Sequence, residues 1–188
     1  MIKEVILEHI KVSNTLLNQL NDIEKICIMS YETIKSGNKI LICGNGGSAS
    51  DASHIVAEFV GKFEKARKPL PAISLSENIS SITSIGNDFS FDKIFSKQIQ
   101  AIGSKDDLLI PISTSGNSEN IINAIKASKK IGMKCFALSG NNGGKMSSLT
   151  KNIIKVNSKK TARIQEMHIL IGHTLVGIVE NMLGESRK

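Results

Sequence analysis

The stretch that decides the fold spans residues 39–58, KILICGNGGSASDASHIVAE. Residues 39–43 form a short, mostly apolar run that is typical of a buried parallel strand. A glycine-rich turn follows at residues 44–48, and residues 49–58 can form a helix. Glycines let the backbone approach a ligand closely, and the first N–H groups of a helix point at it. The stretch therefore predicts a strand–turn–helix unit with a cradle for an anion.

This turn does not have the spacing of a nucleotide-binding motif. No Gly-Lys-Ser/Thr follows it, the pattern is not G-x-G-x-x-G, and no acidic residue ends a second strand about 20 residues later. We therefore expect no nucleotide cofactor. The more specific feature is the pair His54 and Glu58, which are spaced i,i+4 and share one helix face. An acid–base or metal-binding pair is expected close to the anion cradle.

Strands and helices alternate along the chain from residue 39 onward. Such alternation implies right-handed crossovers and a parallel sheet covered on both faces. The predicted fold class is α/β, a three-layer αβα sandwich with a five-stranded parallel sheet of the flavodoxin or Rossmann-like type. The strands after the first are predicted at Ala72–Leu75, Asp107–Ile112, Lys134–Leu138 and Asn152–Val156, and the later helices at 78–85, 89–102, Glu119–Ile131 and Thr161–Leu183. Ligands of such sheets bind at the carboxyl ends of the strands.

The N-terminal part of the chain, residues 2–36, has the apolar spacing of an amphipathic helix. Ser13-Asn14 or Asn21-Asp22 could divide it in two by capping. A single sheet layer does not need this much helix, so the surplus apolar face predicts bundling with other subunits. We expect one domain over residues 1–188, with 1–37 as a helical oligomerisation segment and 38–188 as the αβα core.

Composition narrows the choice of partner and compartment. The 24 Lys and Arg residues outnumber the 17 Asp and Glu residues by seven, but aromatic residues are only 4% and tryptophan is absent. Few aromatic side chains are thus available to stack on nucleic-acid bases, and the surplus positive charge favours small anions over nucleic acid. We expect no membrane segment, because no apolar run looks long enough and no signal peptide is evident. Three isolated cysteines indicate buried reduced thiols and a cytoplasmic protein.

A second turn with binding potential is STSGNS at residues 113–118, between a predicted strand and a predicted helix. Ser113, Thr114, Ser115 and Ser118 supply four hydroxyls beside the free N–H groups of a helix start. Phosphate oxygens accept from both kinds of donor, and the helix dipole favours the negative charge. A helix cap without a ligand is the alternative, but one hydroxyl would suffice for it. The turn therefore predicts a phosphate site.

The last helix begins with Arg163-Ile164-Gln165-Glu166 and continues to His168 and His173. Two histidines, a glutamine and a glutamate on an otherwise apolar helix are candidates for a functional site. A helical histidine is more often a surface residue or a satisfied core residue.

Together these residues resemble the sugar isomerase (SIS) fold and, within it, the phosphoheptose isomerase family. The motifs that match are Gly44–Ala49 with His54 and Glu58, the serine-rich turn, and Arg163–Glu166 with His168 and His173. The resemblance covers nearly the whole chain. It implies aldose–ketose isomerisation of sedoheptulose 7-phosphate to D-glycero-D-manno-heptose 7-phosphate through an enediol. This reaction is the first step of heptose precursor synthesis for lipopolysaccharide or capsule.

The resemblance also implies roles for particular residues. Glu58 and His173 are the expected catalytic acid–base pair, and which of them takes the carbon proton is left open. Glu166 and His168 are assigned structural roles. The implied zinc ligands are His54, Glu58, Gln165 and His173, and the implied substrate contacts are Asn45, Gly46, Gly47, Ser48, Glu58, Asn87, Asp88, Ser113, Thr114, Ser115, Ser118 and Gln165. A glutamine oxygen is a weak ligand, so the zinc is expected to be exchangeable.

Helix geometry adds a prediction about assembly. Gln165 and His173 are eight residues apart, which is about 12 Å along a helix and about 80° around it. One ion can hardly bind both from the same helix, so we expect one of them to enter from a neighbouring subunit. The resemblance implies a homotetramer, and active sites shared between subunits would explain its N-terminal bundling helices.

The chain departs from the family pattern at two places. Ser158, Lys159, Lys160 and Ala162 occupy the region where members often have an acidic contact to sugar hydroxyls. The consequence for the length and modification of the substrate is open. Lys62 stands where an arginine often follows the glycine, at the start of a basic connection that also contains Arg67. That connection is interpreted as a solvated loop, with steering of a phosphate as the alternative.

Two other function classes are weighed against the isomerase. A non-catalytic SIS platform, similar to the replication-initiator-associating protein, would not need His54, Glu58, Gln165 and His173 together. A sugar-phosphate-sensing regulator would usually have a DNA-binding domain, and the N-terminal helices are too apolar for one.

Overall fold

The centre of the structure, a computed structural model that describes residues 1–185, is a parallel β-sheet. Its strands are β1 Ile40–Cys43, β2 Ala72–Ser74, β3 Leu108–Ser113, β4 Lys134–Cys135, β5 Ala137–Gly140 and β6 Ile153–Val156. The order is β2-β1-β3-β5-β6, and β4 pairs with the start of β3. Because β4 and β5 both pair with β3 in parallel, they form one sheet position that is broken at Phe136. The predicted five-stranded parallel sheet is confirmed, with its fourth strand divided.

The helices follow the predicted alternation. They are α1 Ile2–Asn14, α2 Leu20–Lys35, α3 Gly47–Val60, α4 Ile79–Asp88, α5 Ile94–Ile102, α6 Glu119–Ile131, α7 Met146–Leu149 and α8 Thr161–Glu185, with 3₁₀ turns at Thr15–Gln19 and Phe91–Lys93. The N-terminal helix divides at the first 3₁₀ turn, between the two predicted caps.

The helices predicted to end at residues 85 and 183 continue past the glycine that follows each of these positions. Gly86 is within α4 and Gly184 is within α8. Neither has the positive φ of a helix-ending glycine, whereas Gly37 and Gly132 have φ of 81° and 85°. Asn87 and Asp88 therefore belong to the last turn of α4 rather than to a loop after it.

The sheet separates two hydrophobic cores, which makes the three layers of the sandwich. Ile40 and Ile42 of β1 face the core shared with α2, α3 and α8, while Leu41 and Cys43 face the core shared with α5 and α6. This alternation follows from the two-residue period of a strand, so a continuous apolar run is required when both faces are covered. The predicted αβα architecture is confirmed.

Helix α8 is the longest element, and by length and composition alone residues 161–184 could cross a membrane. The expectation that no run is long enough was therefore too strict. In this structure the helix packs against the sheet and against α2 and α3, and 44% of the apolar window is buried. It also holds two buried charged residues, Arg163 and Glu180, which have ion-pair partners. These are the features of a core helix.

The strand order reverses between β1 and β3, which are neighbours in the sheet. Ligands of open α/β sheets bind at such a switch point, outside the carboxyl ends of the strands. The glycine-rich turn follows β1 and the serine-rich turn follows β3, so both lie there. The division at residues 37 and 38 stays a prediction, and residues 186–188 of the predicted core lie outside the described residues.

Candidate active site

The site is organised by the close packing of α3 alongside α8. A Cβ atom on Gly172 would lie 2.5 Å from Cδ1 of Ile55, and one on Gly47 would lie 2.2 Å from Nε2 of Gln165. A side chain at either position would displace the end of Gln165 or Ile55, so these glycines let the two helices pack closely. The contacts occur in the same order along both helices, which therefore run parallel.

This packing brings together three candidate residues, which we call the His–Glu cluster: His54 and Glu58 of α3 and His173 of α8. Nε2 of His54 lies 3.3 Å from Oε1 of Glu58 and 3.4 Å from Nε2 of His173. One potential ligand atom from each residue lies within 4.8 Å of the others. The His54 side chain is exposed, and the other two are half-buried. The cluster is thus compact and open to a small molecule.

The donors of the His–Glu cluster suit two kinds of chemistry. Two imidazole nitrogens and one carboxylate oxygen are the ligand types and the ligand number of a catalytic zinc site with an open position. An imidazole and a carboxylate at this spacing can also act as general acid and general base on one substrate.

Gln165 does not lie with the cluster of its own chain. Its amide is against Gly47, at the start of α3. His54 comes seven residues later on that helix, which is roughly 10 Å along the axis. Within one chain, therefore, His173 and not Gln165 joins His54 and Glu58. The entry of Gln165 from a second copy stays a prediction.

The glycine-rich turn is tied to the start of α6 by a reciprocal amide pair. Nδ2 of Asn45 donates to Oδ1 of Asn120 at 2.9 Å, and Nδ2 of Asn120 donates to Oδ1 of Asn45 at 2.8 Å. Gly46 has φ of 54°, a conformation that glycine adopts without strain. Ser48 is buried in the first turn of α3. The Asn45 amide is therefore held in place by Asn120, with one N–H and one oxygen lone pair left for a ligand.

The serine turn, residues 113–118, is held by its own hydroxyls. Oγ of Ser113 lies 3.2 Å from Oγ of Ser118 and accepts from the Gly116 N–H at 3.2 Å. Ser118 occupies the N-cap position of α6, but its side chain makes no capping hydrogen bond. The capping interpretation therefore does not account for this hydroxyl. Thr114 and Ser115 line a cleft of about 370 Å³, whose wall also contains Asn141, Asn142, Lys159 and Thr161.

Comparison with known proteins agrees with the fold and shows the family of the chain. A sequence profile of the SIS domain family matches residues 8–140. The chain is 46% identical over 183 residues to the phosphoheptose isomerase of Aliarcobacter butzleri, covering 97% of each protein. Its fold matches the phosphoheptose isomerase structures from Francisella tularensis (TM-score 0.92, 35% identity, 96% of both chains) and Neisseria gonorrhoeae (TM-score 0.91, 38% identity, 96% and 97%).

The chain belongs to the phosphoheptose isomerase family of SIS domain proteins. It is an enzyme of the isomerase class, and the resemblance stated from its motifs is confirmed. The non-catalytic platform is therefore the less suitable description.

Two other expected substrate contacts of this family member lie apart from the contacts described so far. Asn87 and Asp88 are exposed, and Nδ2 of Asn87 donates to Oδ1 of Asp88 at 2.9 Å. Within residues 1–185 neither side chain forms a hydrogen bond or ion pair with a candidate residue outside this pair. Their role as substrate contacts stays a prediction.

The two histidines of α8 have different environments. His168 is fully buried, and its Nε2 lies 3.2 Å from the carbonyl oxygen of Ser139. Burial lowers the pKa of His168 to about 4, although the hydrogen bond opposes the shift. His9 of α1 and Arg163 of α8 both contact the carboxylate of Glu166, and Nη1 of Arg163 donates to the Val5 carbonyl of α1 at 2.8 Å, so these bonds tie α1 to α8. These contacts agree with structural roles for Glu166 and His168.

The connection between α3 and β2, residues 61–71, was only partly anticipated. It was interpreted as a solvated or phosphate-steering loop, but the Arg67 side chain is nearly buried and pairs with Glu180 at 2.8 Å. The ring of Phe63 stacks on His173, with centroids 5.6 Å apart and an interplanar angle of 24°. A glutamate in an apolar helix signals a buried partner, yet nothing in the sequence indicates which cation that is.

Asp51 is a further acidic group near the cluster that sequence reasoning missed. Burial raises the pKa of Asp51 to about 6, and the nearby His54 opposes the shift. Its Oδ2 atom is buried without a hydrogen-bond partner in the described part of the chain. Its position one turn before His54 on α3 is the only sequence signal that could have drawn attention to it.

Proposed function

We propose that this protein converts sedoheptulose 7-phosphate to D-glycero-D-manno-heptose 7-phosphate through an enediol. The observation that supports this most is the approach of Glu58 and His173 within a cluster whose ligand atoms lie within 4.8 Å of one another. The reaction moves a proton between two adjacent carbons, so it needs one group for the carbon proton and another for the oxygens. A carboxylate and an imidazole that touch the same small molecule meet this need.

Zinc is the proposed metal of the His–Glu cluster. The donor set fits, because imidazole nitrogen and carboxylate oxygen are ordinary zinc ligands and three protein ligands leave a position open. His54, Glu58 and His173 would hold the ion, with Gln165 of a second copy as a weaker fourth ligand. When bound, zinc would act as a Lewis acid that polarises the sugar carbonyl.

The serine turn is the proposed phosphate site of the substrate. Ser118 offers a hydroxyl that is not used for capping, and Thr114 and Ser115 face the cleft. The start of α6 adds N–H groups and the positive end of the helix dipole. Lys159, in the same wall, supplies a cation where relatives often have an acid. Anchoring the phosphate here would leave the other end of the sugar chain to the glycine-rich turn and the cluster.

We further propose a cytoplasmic homotetramer whose active sites are shared between subunits. The apolar face of α1 and of its following turn is uncovered in the single chain, with Ile2, Ile6 and Leu17 each more than half exposed. Such a face is suited to bundling with other copies. The three cysteines are free and buried, which suits a reducing compartment. The product would serve heptose synthesis for lipopolysaccharide or capsule.

An isomerisation assay with sedoheptulose 7-phosphate, with and without a chelator, tests the proposal. We expect the aldose product to form, and we expect the chelator to lower the rate until zinc is restored. A folded protein without activity on this substrate would favour a binding platform. A fully active monomer would contradict the shared site.

A further inference from the structure

The connection between α3 and β2 contacts both helices that form the His–Glu cluster. Its Arg67 guanidinium spans the carboxyl end of α3: Nη2 donates to the carbonyl of Glu58 at 2.7 Å, and Nη1 donates to the carbonyl of Phe59 at 2.8 Å and of Gly61 at 3.2 Å. The last carbonyls of a helix have no partner within the helix, and a cation is favourable there. Arg67 therefore fixes the end of the helix on which Glu58 lies.

The same guanidinium is fixed to α8. Nε of Arg67 donates to Oε1 of Glu180 at 2.8 Å, and Oε2 of Glu180 accepts from the backbone N–H groups of Glu64 and Lys65, each at 3.0 Å. Burial opposes ionisation of Glu180, but these N–H groups and the guanidinium outweigh it and lower its pKa. Every oxygen of this nearly buried carboxylate is thus used to hold the connection.

Glu180 and His173 lie on one side of α8, because seven residues correspond to about two helical turns. Between them Phe63 packs flat on the His173 ring. A side chain at position 177 would intrude on Phe63, since a Cβ on Gly177 would lie 3.3 Å from its Cε1 atom. The connection therefore contacts His173 directly and is anchored about two turns later on the same helix, at Glu180.

We propose that Phe63 and Arg67 are positioning residues of the active site, which set the distance and ring orientation between Glu58 and His173. This inference rests on the proposed function for the reaction, but the geometry concerns the cluster itself. Neither residue touches the reacting atoms in this proposal. Arg67 holds the helix end behind Glu58 to the helix of His173, and Phe63 restricts rotation of the His173 ring. Groups that orient metal-binding or acid–base side chains affect them strongly, since small displacements weaken both binding and catalysis.

The test uses Phe63→Leu and Arg67→Lys in the full chain. Leucine keeps apolar bulk but loses the flat ring. Lysine keeps the charge but lacks the planar guanidinium that donates to the α3 carbonyls and to Glu180 at the same time. For each variant we would measure zinc affinity by titration of the metal-free protein, kcat and KM for sedoheptulose 7-phosphate, and the unfolding midpoint. We expect zinc affinity and kcat each to fall about tenfold, with KM changed by less than about threefold.

The matched control is Lys65→Ala. Lys65 belongs to the same connection and its Nζ also contacts α8, at Asn181, but that side chain is exposed and its backbone N–H remains available to Glu180. We expect zinc affinity and kcat of this variant to stay within about twofold of the wild type.

Two results would overturn the inference. One is a folded Phe63→Leu or Arg67→Lys protein that binds zinc and turns over substrate like the wild type. The other is a loss that is equal in the Lys65→Ala control. If the wild type does not isomerise sedoheptulose 7-phosphate, the proposed function fails, and the zinc titrations still decide whether Phe63 and Arg67 position the cluster.

Discussion

The serine turn and the His–Glu cluster are the two candidate binding regions of the chain, and they are built in different ways. The turn consists of consecutive residues whose hydroxyls bond to each other and to nearby N–H groups. The cluster joins residues 54 and 173, which meet because α3 and α8 pack alongside each other. An anion site can thus be local in sequence, whereas the acid–base pair depends on tertiary packing. Substitutions in the two regions should therefore have different kinetic effects.

The largest effect is expected for Glu58→Gln in the cluster. Glutamine keeps the size of the side chain but removes the base, so kcat should fall by about 10²-fold or more while the fold is kept. Initial rates with sedoheptulose 7-phosphate measure kcat, and circular dichroism measures whether the fold is kept. Glu64→Gln is the control, because that exposed side chain follows α3 by only a few residues. Turnover close to that of the wild type would remove Glu58 from the proposed role.

The next effect concerns stability and arises from His168, the buried histidine of α8. The folded pKa of His168, about 4, is below its ordinary value of 6.5, so the unfolded chain binds more protons between these values. Stability should therefore fall as the pH drops through this window, by about 2 kcal/mol between pH 7 and pH 5. Urea unfolding at the two pH values measures it. A His168→Gln variant should lose less over the same interval, and an equal loss would locate the effect elsewhere.

A smaller effect, on KM rather than on kcat, is expected for a substitution in the serine turn. Ser118→Ala removes one donor to the proposed phosphate without removing a helix cap, so KM should rise about tenfold and kcat should change little. Ser148→Ala is the control, because that hydroxyl donates to the Lys145 carbonyl at 2.8 Å and does not line the cleft. An unchanged KM for Ser118→Ala would argue against phosphate binding at the turn.

The smallest effect is expected for two adjacent lysines. Lys159 lines the cleft beside the serine turn, whereas Lys160 pairs with Glu8 of α1 at 2.7 Å. Because exposed ion contacts are worth little, Lys159→Gln should raise KM only about threefold, and Lys160→Gln should leave it unchanged. Equal effects of the two substitutions would mean that net charge alone attracts the substrate.

Much of the fold could be predicted because its signals are local. The apolar run at β1, the bounds of α6 and the serine turn depend on neighbouring residues and agree with the structure. The errors arose where a local signal was overridden. Gly86 and Gly184 lie inside helices, and neither has the positive φ with which Gly37 and Gly132 follow the ends of α2 and α6. The break at Phe136 divides a strand that the sequence shows as one run.

The candidate site was predictable in its residue types but not in its contacts. The i,i+4 spacing of His54 and Glu58 is visible in the sequence, and the rise of a helix separates Gln165 from His173. The partners Phe63 with His173 and Arg67 with Glu180 were not visible. Each of these pairs joins residues more than 100 positions apart, and no periodicity connects them.

The sequence by itself determined the alternation of strands and helices, the two turns at the carboxyl edge of the sheet, and the family. These properties follow from apolar periodicity, glycine conformation and motif spacing, which act over a few residues. The tertiary structure alone decided that His173 joins His54 and Glu58 within one chain, and that Arg67 is buried rather than exposed to solvent. Such outcomes depend on how closely two helices approach, which is set by packing across the whole core.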